Sequence, residues 1–199
     1  MVVRSTKRSG QRMSASLEIA TERLTLRRWR QGDADAFAAM HADAEVTTWL
    51  ARGPMSVADA RADIDRFDAH FDAHGFGLWA VERKVDRMLI GLCGLHHEDR
   101  GIHPLAPCRE IAWRQARAAR GHGYMSEAAS AVLADGFQRI GLADIFAWTA
   151  DANLRSQRLM QRIGMQRQPM LDFDHPALAD GHPLRRHVVY VARPHVSSC

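Results

Sequence analysis

The stretch "EIAWRQARAARGHGYMSEAAS" (Glu110–Ser130) decides how this chain folds. A strand-like run, "CREIAWRQA", ends in a cluster of Arg and Gly that opens at once into an alanine-rich amphipathic segment. From Gly123 the apolar period is helical, with Met125, Ala128, Ala129, Val132, Leu133, Phe137 and Ile140 on one face. A helix starting directly behind a strand aims its free N–H groups and positive dipole end beyond the strand tip, which makes an anion site. Gly121 and Gly123 carry no Cβ to keep a phosphate off the backbone. Arg117 and Arg120 can add charge-assisted bonds. Ser126 and Glu127 fall in the first turn, and Glu127 is compatible with a phosphate if it faces away. Spacing alone leaves two readings, a phosphate cradle or a tight turn with solvated arginines, and for a lone GxG the turn takes precedence.

Outward from this junction, periodicity sets the remaining elements. "TERLTLRRW" (Thr21–Trp29) alternates as a half-buried strand. Gly32-Asp33 begins a helix containing Ala36, Phe37, Met40 and Ala44. Ser56 is placed to cap a second helix with Asp59 three residues on, and Ala58, Ala62, Ile64, Phe67 and Phe71 give it a face closed by Gly75 and Gly77. "FGLWAVERK" and "MLIGLCGLHHE" read as two strands joined by a turn. Beyond the central helix, "ADIFAWTA" supplies a strand, and Asn153 caps a short helix with Leu159, Met160 and Ile163 inward and Gly164 as its stop. Strands near 165–173 and at "RRHVVYVAR" complete the order β-α-α-β-β-β-α-β-α-β-β, a mixed α/β sandwich without the regularity of a parallel repeat.

The bulk numbers fit one domain. With 199 residues, 46% apolar and 25% charged, the chain can bury a full core. No apolar run nears the roughly 20 residues that span a bilayer, and the N-terminus lacks the apolar centre of a secretory signal. Net charge is +4, but Arg4, Lys7, Arg8 and Arg12 account for it, leaving 23 basic and 23 acidic residues in the body. Residues 1–16 are expected to be a disordered basic tail and 17–199 a single domain, with Met13 an alternative start. RNA binding by the tail is the less favoured reading, and nucleic acid is not expected as a partner. Cys93, Cys108 and Cys199 show neither metal-ligand nor disulfide spacing, which suits a reducing, cytoplasmic setting.

The segment "RGHGYMSEA" resembles the pyrophosphate-binding motif of the GNAT superfamily of acetyl-CoA-dependent acyltransferases. Arg120, Gly123 and Met125 fall on its defined positions, Met125 replacing a small residue. "TERLTLRRW", "EIAW", "NLRSQRLMQRIGM" and "DFDHPALADGHPLRRHVVY" are similar, in the same order, to the RimJ/RimL-like branch, and the likeness spans about Thr21 to Tyr190. The resemblance implies the GNAT fold: a mixed, mostly antiparallel sheet of six to seven strands flanked by about four helices and splayed at the fourth and fifth strands. It implies an N-acetyltransferase that moves acetyl from acetyl-CoA directly to a primary amine, either a protein N-terminus or a small amine. A homodimer is compatible with it. The cofactor-binding set then comprises Ile111 and Trp113 on the strand, Arg117, Arg120, Gly121, His122, Gly123, Tyr124, Met125 and Ser126 in the turn, and Asn153 and Ser156 on the next helix.

Amine attack on a thioester needs a neutral nucleophile, a polarised carbonyl and a proton for the departing thiolate. Glu110 is the candidate base, since alternation puts it on the face opposite Ile111 and Trp113, where burial raises a carboxyl pKa. A sheet-surface Glu paired with arginine is the competing reading. Many family members place a tyrosine seven residues after the Asn. Here Met160 stands there, and a thioether donates no proton. Ser156 resembles the serine of the RimJ/RimL-like branch and is the candidate donor, with an ordinary first-turn role left open. Candidate substrate residues are Trp49, His96 and, more distantly, Tyr190. The cluster His96, His97, Asp99 and His103 fits either the acceptor mouth or a loop surface. His70 and His74 share a helix face but lack a third ligand, so a solvated face is expected and no metal is. The departures at Met125 and Met160 keep a second class open, a non-catalytic acyl-CoA-binding or sensory module.

Overall fold

Alternating apolar residues build a sheet whose two halves are joined at one place. The structure is a computed structural model that describes residues 18–50 and 53–194. The expected tail at 1–16, Met13 and Cys199 lie outside the described residues. In chain order the strands are β1 (Ile19–Ala20), β2 (Leu24–Arg27), β3 (Leu78–Arg83), β4 (Leu89–Glu98), β5 (Cys108–Gln115), β6 (Ile145–Ala150), β7 (Gln166–Arg167), β8 (Phe173–Asp174) and β9 (Arg186–Ala192). They run β1-β2-β3-β4-β5-β6-β9-β7 across the sheet, with β8 also on β9. Every pairing is antiparallel except that of β5 with β6.

Helices α1 (Asp33–Ala42), α2 (Ala44–Thr47), α3 (Val57–His74), α4 (Tyr124–Gln138) and α5 (Leu154–Arg162) cover the sheet. One core joins Cys93, Leu95 and Ile111 to Met125, Ala128, Ala129, Val132 and Leu133 of α4 and Met160 of α5. A second joins Ala80 and Leu92 to Phe37 of α1 and Ile64 and Phe67 of α3. Phe146, Phe173, Val189 and Val191 form a third around β9. Each fully buried Leu, Ile, Phe or Met contributes about 1.5–3 kcal/mol, so the burial of these stripes fixes which way every helix faces. No helix among the described residues is long and apolar enough to cross a membrane.

Local chemistry sets the helix ends. Ser56 and Asp59 form a reciprocal capping box on α3, and Gly75 closes it in the left-handed conformation. Asn153 caps α5 by accepting from the Ser156 N–H. Three details differ from the sequence reading. The helix expected to run through Ala44 breaks at Asp43, whose extended backbone and carboxylate cap a separate α2. The strand expected near 165–173 is two short pairings, β7 and β8, on either side of a 3-10 turn that begins at Pro169. Also, β1 adds an edge strand. The two-residue strands account for the excess over six or seven, and α2 for the fifth helix.

Replacing Ser56 by Ala removes one half of the capping box. It is expected to cost about 1 kcal/mol, read as a fall of about 2–4 °C in Tm, with the fold unchanged by circular dichroism.

Candidate active site

β5 and β6 share a single residue pair, Glu110 with Phe146. Beyond it the two strands part, and a cavity of about 990 Å³ fills the gap. Its walls include Ile111 to Gln115 of β5, Trp148 and Thr149 of β6, the turn before α4 and the inner face of α5. Glu110 therefore lies at the crotch of the fork, and the α4 N-terminus lies at its mouth.

The turn owes its shape to glycine. Gly121 and Gly123 adopt φ of 85° and 75°, a region that residues with a Cβ seldom enter. A Cβ at Gly121 would meet nothing within 4 Å among the described residues, so the backbone there is open to them. Gly123 is the N-cap of α4, and no side chain among the described residues caps the helix, which leaves its first-turn N–H groups available to an anion. Glu127 turns away from the cavity. It accepts from the Thr21 hydroxyl at 2.6 Å, the Arg23 N–H at 2.9 Å and the Arg23 Nε at 2.7 Å. Burial would raise its pKa, but these donors hold it below the ordinary value.

Arg120 sits beside this turn with Glu45 of α2 against it, at 3.0 Å from Oε2 and 3.1 Å from the Glu45 carbonyl. Arg117 reaches the same carboxylate at 3.5 Å. Burial, and then repulsion from Arg155, lower the Arg120 pKa. A cation held this way favours further negative charge. Glu45 carried no sequence signal, because its partners lie about seventy residues downstream.

At the crotch, His96 stands across β4 from Glu110 in register. His96 Nε2 lies 2.9 Å from Glu110 Oε2 and 3.9 Å from Glu98 Oε2, a close ion contact that is not aligned as a hydrogen bond. Burial raises the Glu110 pKa, and His96 offsets this only in part. The donor atoms of His96, Glu98 and Glu110 lie within 4.8 Å of one another, and Glu98 is also bound by Arg100 at 2.8 Å. Across the fork, Asn153 Oδ1 accepts from the Ser156 N–H at 3.3 Å while its Nδ2 donates to Thr149 Oγ1 at 2.9 Å. Ser156 lines the cavity, and Met160 lies 1% exposed beneath it.

The structure gathers Glu110, Ile111, Trp113, Arg120, Gly121, Gly123, Met125, Ser126, Asn153, Ser156, Trp49 and His96 around one cavity. Arg117, His122 and Tyr124 are adjacent but outside its lining. The Tyr124 ring lies under the Arg23 guanidinium at 4.8 Å, and the His122 ring lies tilted beside it at 5.6 Å. Tyr190, expected as a distant substrate candidate, is instead 2% exposed in the core, its hydroxyl 3.3 Å from both Gln157 and Gln161. β9 presents it to α5 and not to the cleft. His70 is not on a solvated face: its Nδ1 meets the Phe76 carbonyl at 2.8 Å and its Nε2 accepts from the His97 N–H at 3.1 Å. His103 is buried and stacks on Trp148 at 5.0 Å, while His96, His97 and Asp99 reach the cavity. Trp148 packs against the third core, as its apolar neighbours suggest, and also lines the cavity, which the sequence alone does not indicate.

The chain matches the acetyltransferase (GNAT) domain family over residues 23–166. It belongs to that family. It is 31% identical over 157 residues to the uncharacterized N-acetyltransferase YoaA of Bacillus subtilis (strain 168), covering 77% of this chain and 85% of that one. To YnaD of the same organism, also an uncharacterized N-acetyltransferase, it is 30% identical over 152 residues, 76% of this chain and 84% of that one. A GNAT-family acetyltransferase from Bacillus anthracis superposes with a TM-score of 0.73 at 26% identity, covering 89% and 98% of the two chains. RimL, a ribosomal L7/L12 alpha-N-protein acetyltransferase solved with coenzyme A, shares the fold at 12% identity and a TM-score of 0.73, over 88% and 97%. The protein is an acetyltransferase, and GNAT acetyltransferases use acetyl-CoA.

Gly123→Ala forces a Cβ into the left-handed region, which costs roughly 1–2 kcal/mol. Thermal melts are expected to show that loss, and Gly123→Asn a smaller one, since Asn tolerates this conformation better.

Proposed function

We propose that the protein moves acetyl from acetyl-CoA directly to a primary amine, a protein N-terminus or a small amine, within a ternary complex. The observation that carries this reading is the fork itself, with Glu110 at its crotch and the uncapped N-terminus of α4 at its mouth. Strand rise puts about 17 Å between Glu110 and Gln115, room for a long thin arm between the strands.

Acetyl-CoA brings an activated thioester at one end and a diphosphate at the other. The N–H groups of the Gly121–Ser126 turn and Arg120 hold the diphosphate, with Arg117, His122 and Tyr124 shaping the turn from outside. Ile111 and Trp113 flank the arm, and Asn153 fixes the start of α5 beside it. Glu110 takes a proton from the acceptor nitrogen as the C–N bond forms. Ser156 Oγ–H gives a proton to the sulfur as the C–S bond breaks, and solvent restores it. Trp49 and His96 stand on the acceptor side. RimL's description as an alpha-N-protein acetyltransferase is our reason for including a protein N-terminus among the acceptors. No acyl-enzyme is needed: Cys93 and Cys108 are buried free thiols, and burial pushes Cys108 up to about 11. Those free thiols also support a cytoplasmic setting. The proposed chemistry uses no metal, since Glu98 is taken up by Arg100 and His96.

Saturating acetyl-CoA is expected to raise Tm, because it binds the folded state alone. At a hundred times Kd the gain is about 2.7 kcal/mol, and no shift at millimolar cofactor sinks the proposal. Thiol release over a panel of amines and N-terminal peptides separates enzyme from binding module, and binding without turnover on any acceptor favours the module. Glu110→Gln is expected to lower kcat by about 10²–10⁴ with acetyl-CoA binding retained, and a chelator to leave turnover unchanged.

Glu45 occupies the arginine that the diphosphate is proposed to use. Glu45→Gln is therefore expected to lower KM for acetyl-CoA by up to about fivefold, as an exposed ion pair is worth about 0.2–1 kcal/mol. A higher KM would mean that Glu45 positions Arg120 instead of competing for it.

A further inference from the structure

The corner beside Glu110 holds more charge than one proton-transferring carboxylate requires. Register sets His96 directly across from Glu110, and Glu98 follows two residues along β4 on the same face. The Glu98 side chain has no exposed surface. It receives both Arg100 Nη2 and the Arg100 N–H at 2.8 Å. In order of contact, Glu110, His96, Glu98 and Arg100 alternate in sign.

A buried carboxylate left alone keeps its proton, and a protonated Glu110 takes none from an amine. We infer that His96, seated by Glu98, is the positioning residue that holds Glu110 ionised for proton transfer. This rests on reading Glu110 as the base. Burial by itself would strip the charge from His96, but the two carboxylates outweigh it and raise the imidazole to about 9. Burial likewise disfavours Glu98 as an anion, and His96 and Arg100 bring it down to about 2.

The other groups facing this corner leave that balance intact. His70 faces His96 from α3, His97 and His103 face Glu98 from β4 and the loop after it, and His175 does so from the loop after β8. Burial holds all four below the ordinary histidine value, so they are uncharged at neutral pH. Arg100 also faces Glu110, and the Cys108 thiol, pushed upward by burial, stays neutral. The two anions are thus matched by His96 and Arg100.

The test has a readout that needs no cofactor. Histidine ring signals are followed by NMR through a pH titration of the unliganded protein, with His96 assigned by its loss in His96→Gln. His96 is expected to titrate well above the ordinary value of about 6.5 and to move downward in Glu98→Gln. In His96→Gln the acidic limb of kcat/KM is expected to move up by about 1–3 pH units, with the rate recovered in alkali. The sign follows because Glu110, without its cation, keeps its proton to higher pH. Titration of His96 at or below the ordinary value overturns the inference. So does a His96→Gln rate reduced by the same factor at every pH, or an acidic limb that stays in place. If His96→Gln fails to fold, Glu98→Gln carries the titration readout. A wild type with no acetyl-CoA-dependent turnover would sink the proposed function, while the titration would still decide the charge chain.

Discussion

Two parallel strands that share one residue pair and then separate create an energetic problem that organises the rest of the molecule. Along Ile111–Gln115 and Ala147–Ala150 the facing backbone groups have no strand partner across the gap among the described residues. Such groups cost about as much as lost hydrogen bonds if they are kept dry. The sheet nevertheless holds the strands apart. β5 is fastened to β4 by eight residue pairs and β6 to β9 by six, so each edge belongs to its own half-sheet. Closing the gap would require shearing one half against its core. A guest that hydrogen-bonds as a strand does relieves the problem without closing it. This is the physical argument for an amide-bearing arm in the fork, and it is independent of any motif.

Charge divides the cavity into two regions. At the mouth, Arg120 and the α5 residues Arg155 and Arg158 line the cavity beside the positive end of α4. Glu45 neutralises Arg120 and Arg117 in part, and the remaining positive potential favours an anion arriving from solvent. At the crotch the charges alternate and cancel, so the proposed chemistry lies where little net field remains and each proton position is set by contact. The region between them is walled by Ile111, Trp113 and Met160. Under the proposed function, that separation lets one protein bind a strongly anionic group and still keep a carboxylate available as a base.

What could be read from the sequence was local. The Ser56 box, the Gly75 stop, the Asn153 cap and the α4 face Met125–Ala128–Ala129–Val132 depend on residues a few positions apart, and each formed as read. The glycine junction was legible for the same reason. The contact of His96 with Glu110 was not, because cross-strand register comes from the whole β4–β5 pairing and leaves no trace in either strand's period. Tyr190 was misjudged because alternation along β9 does not say which face looks into the fork. The two-residue strands β7 and β8 are too short to carry a period at all. His70 seemed solvated on a helical wheel, yet the β3 end and His97 fold over it.

The replacement of a small motif residue by Met125 tests whether an anion site of this kind depends on its side chains. Met125 is 5% exposed and points into the core under β4. A Cβ added at Gly91 would lie 3.2 Å from Met125 Cε and 2.3 Å from the Arg114 carbonyl, so Gly91 leaves room for the longer side chain. Glu127 is the second apparent conflict, a carboxylate in the first turn of the helix proposed to bind an anion, and Thr21 and Arg23 draw it to the far side. In both cases the sequence departs at a side chain while the main chain keeps its conformation. In the proposed site the grip on an anion comes from N–H groups fixed by two positive-φ glycines, which leaves the residues around them free to vary as long as something distant absorbs their bulk or charge.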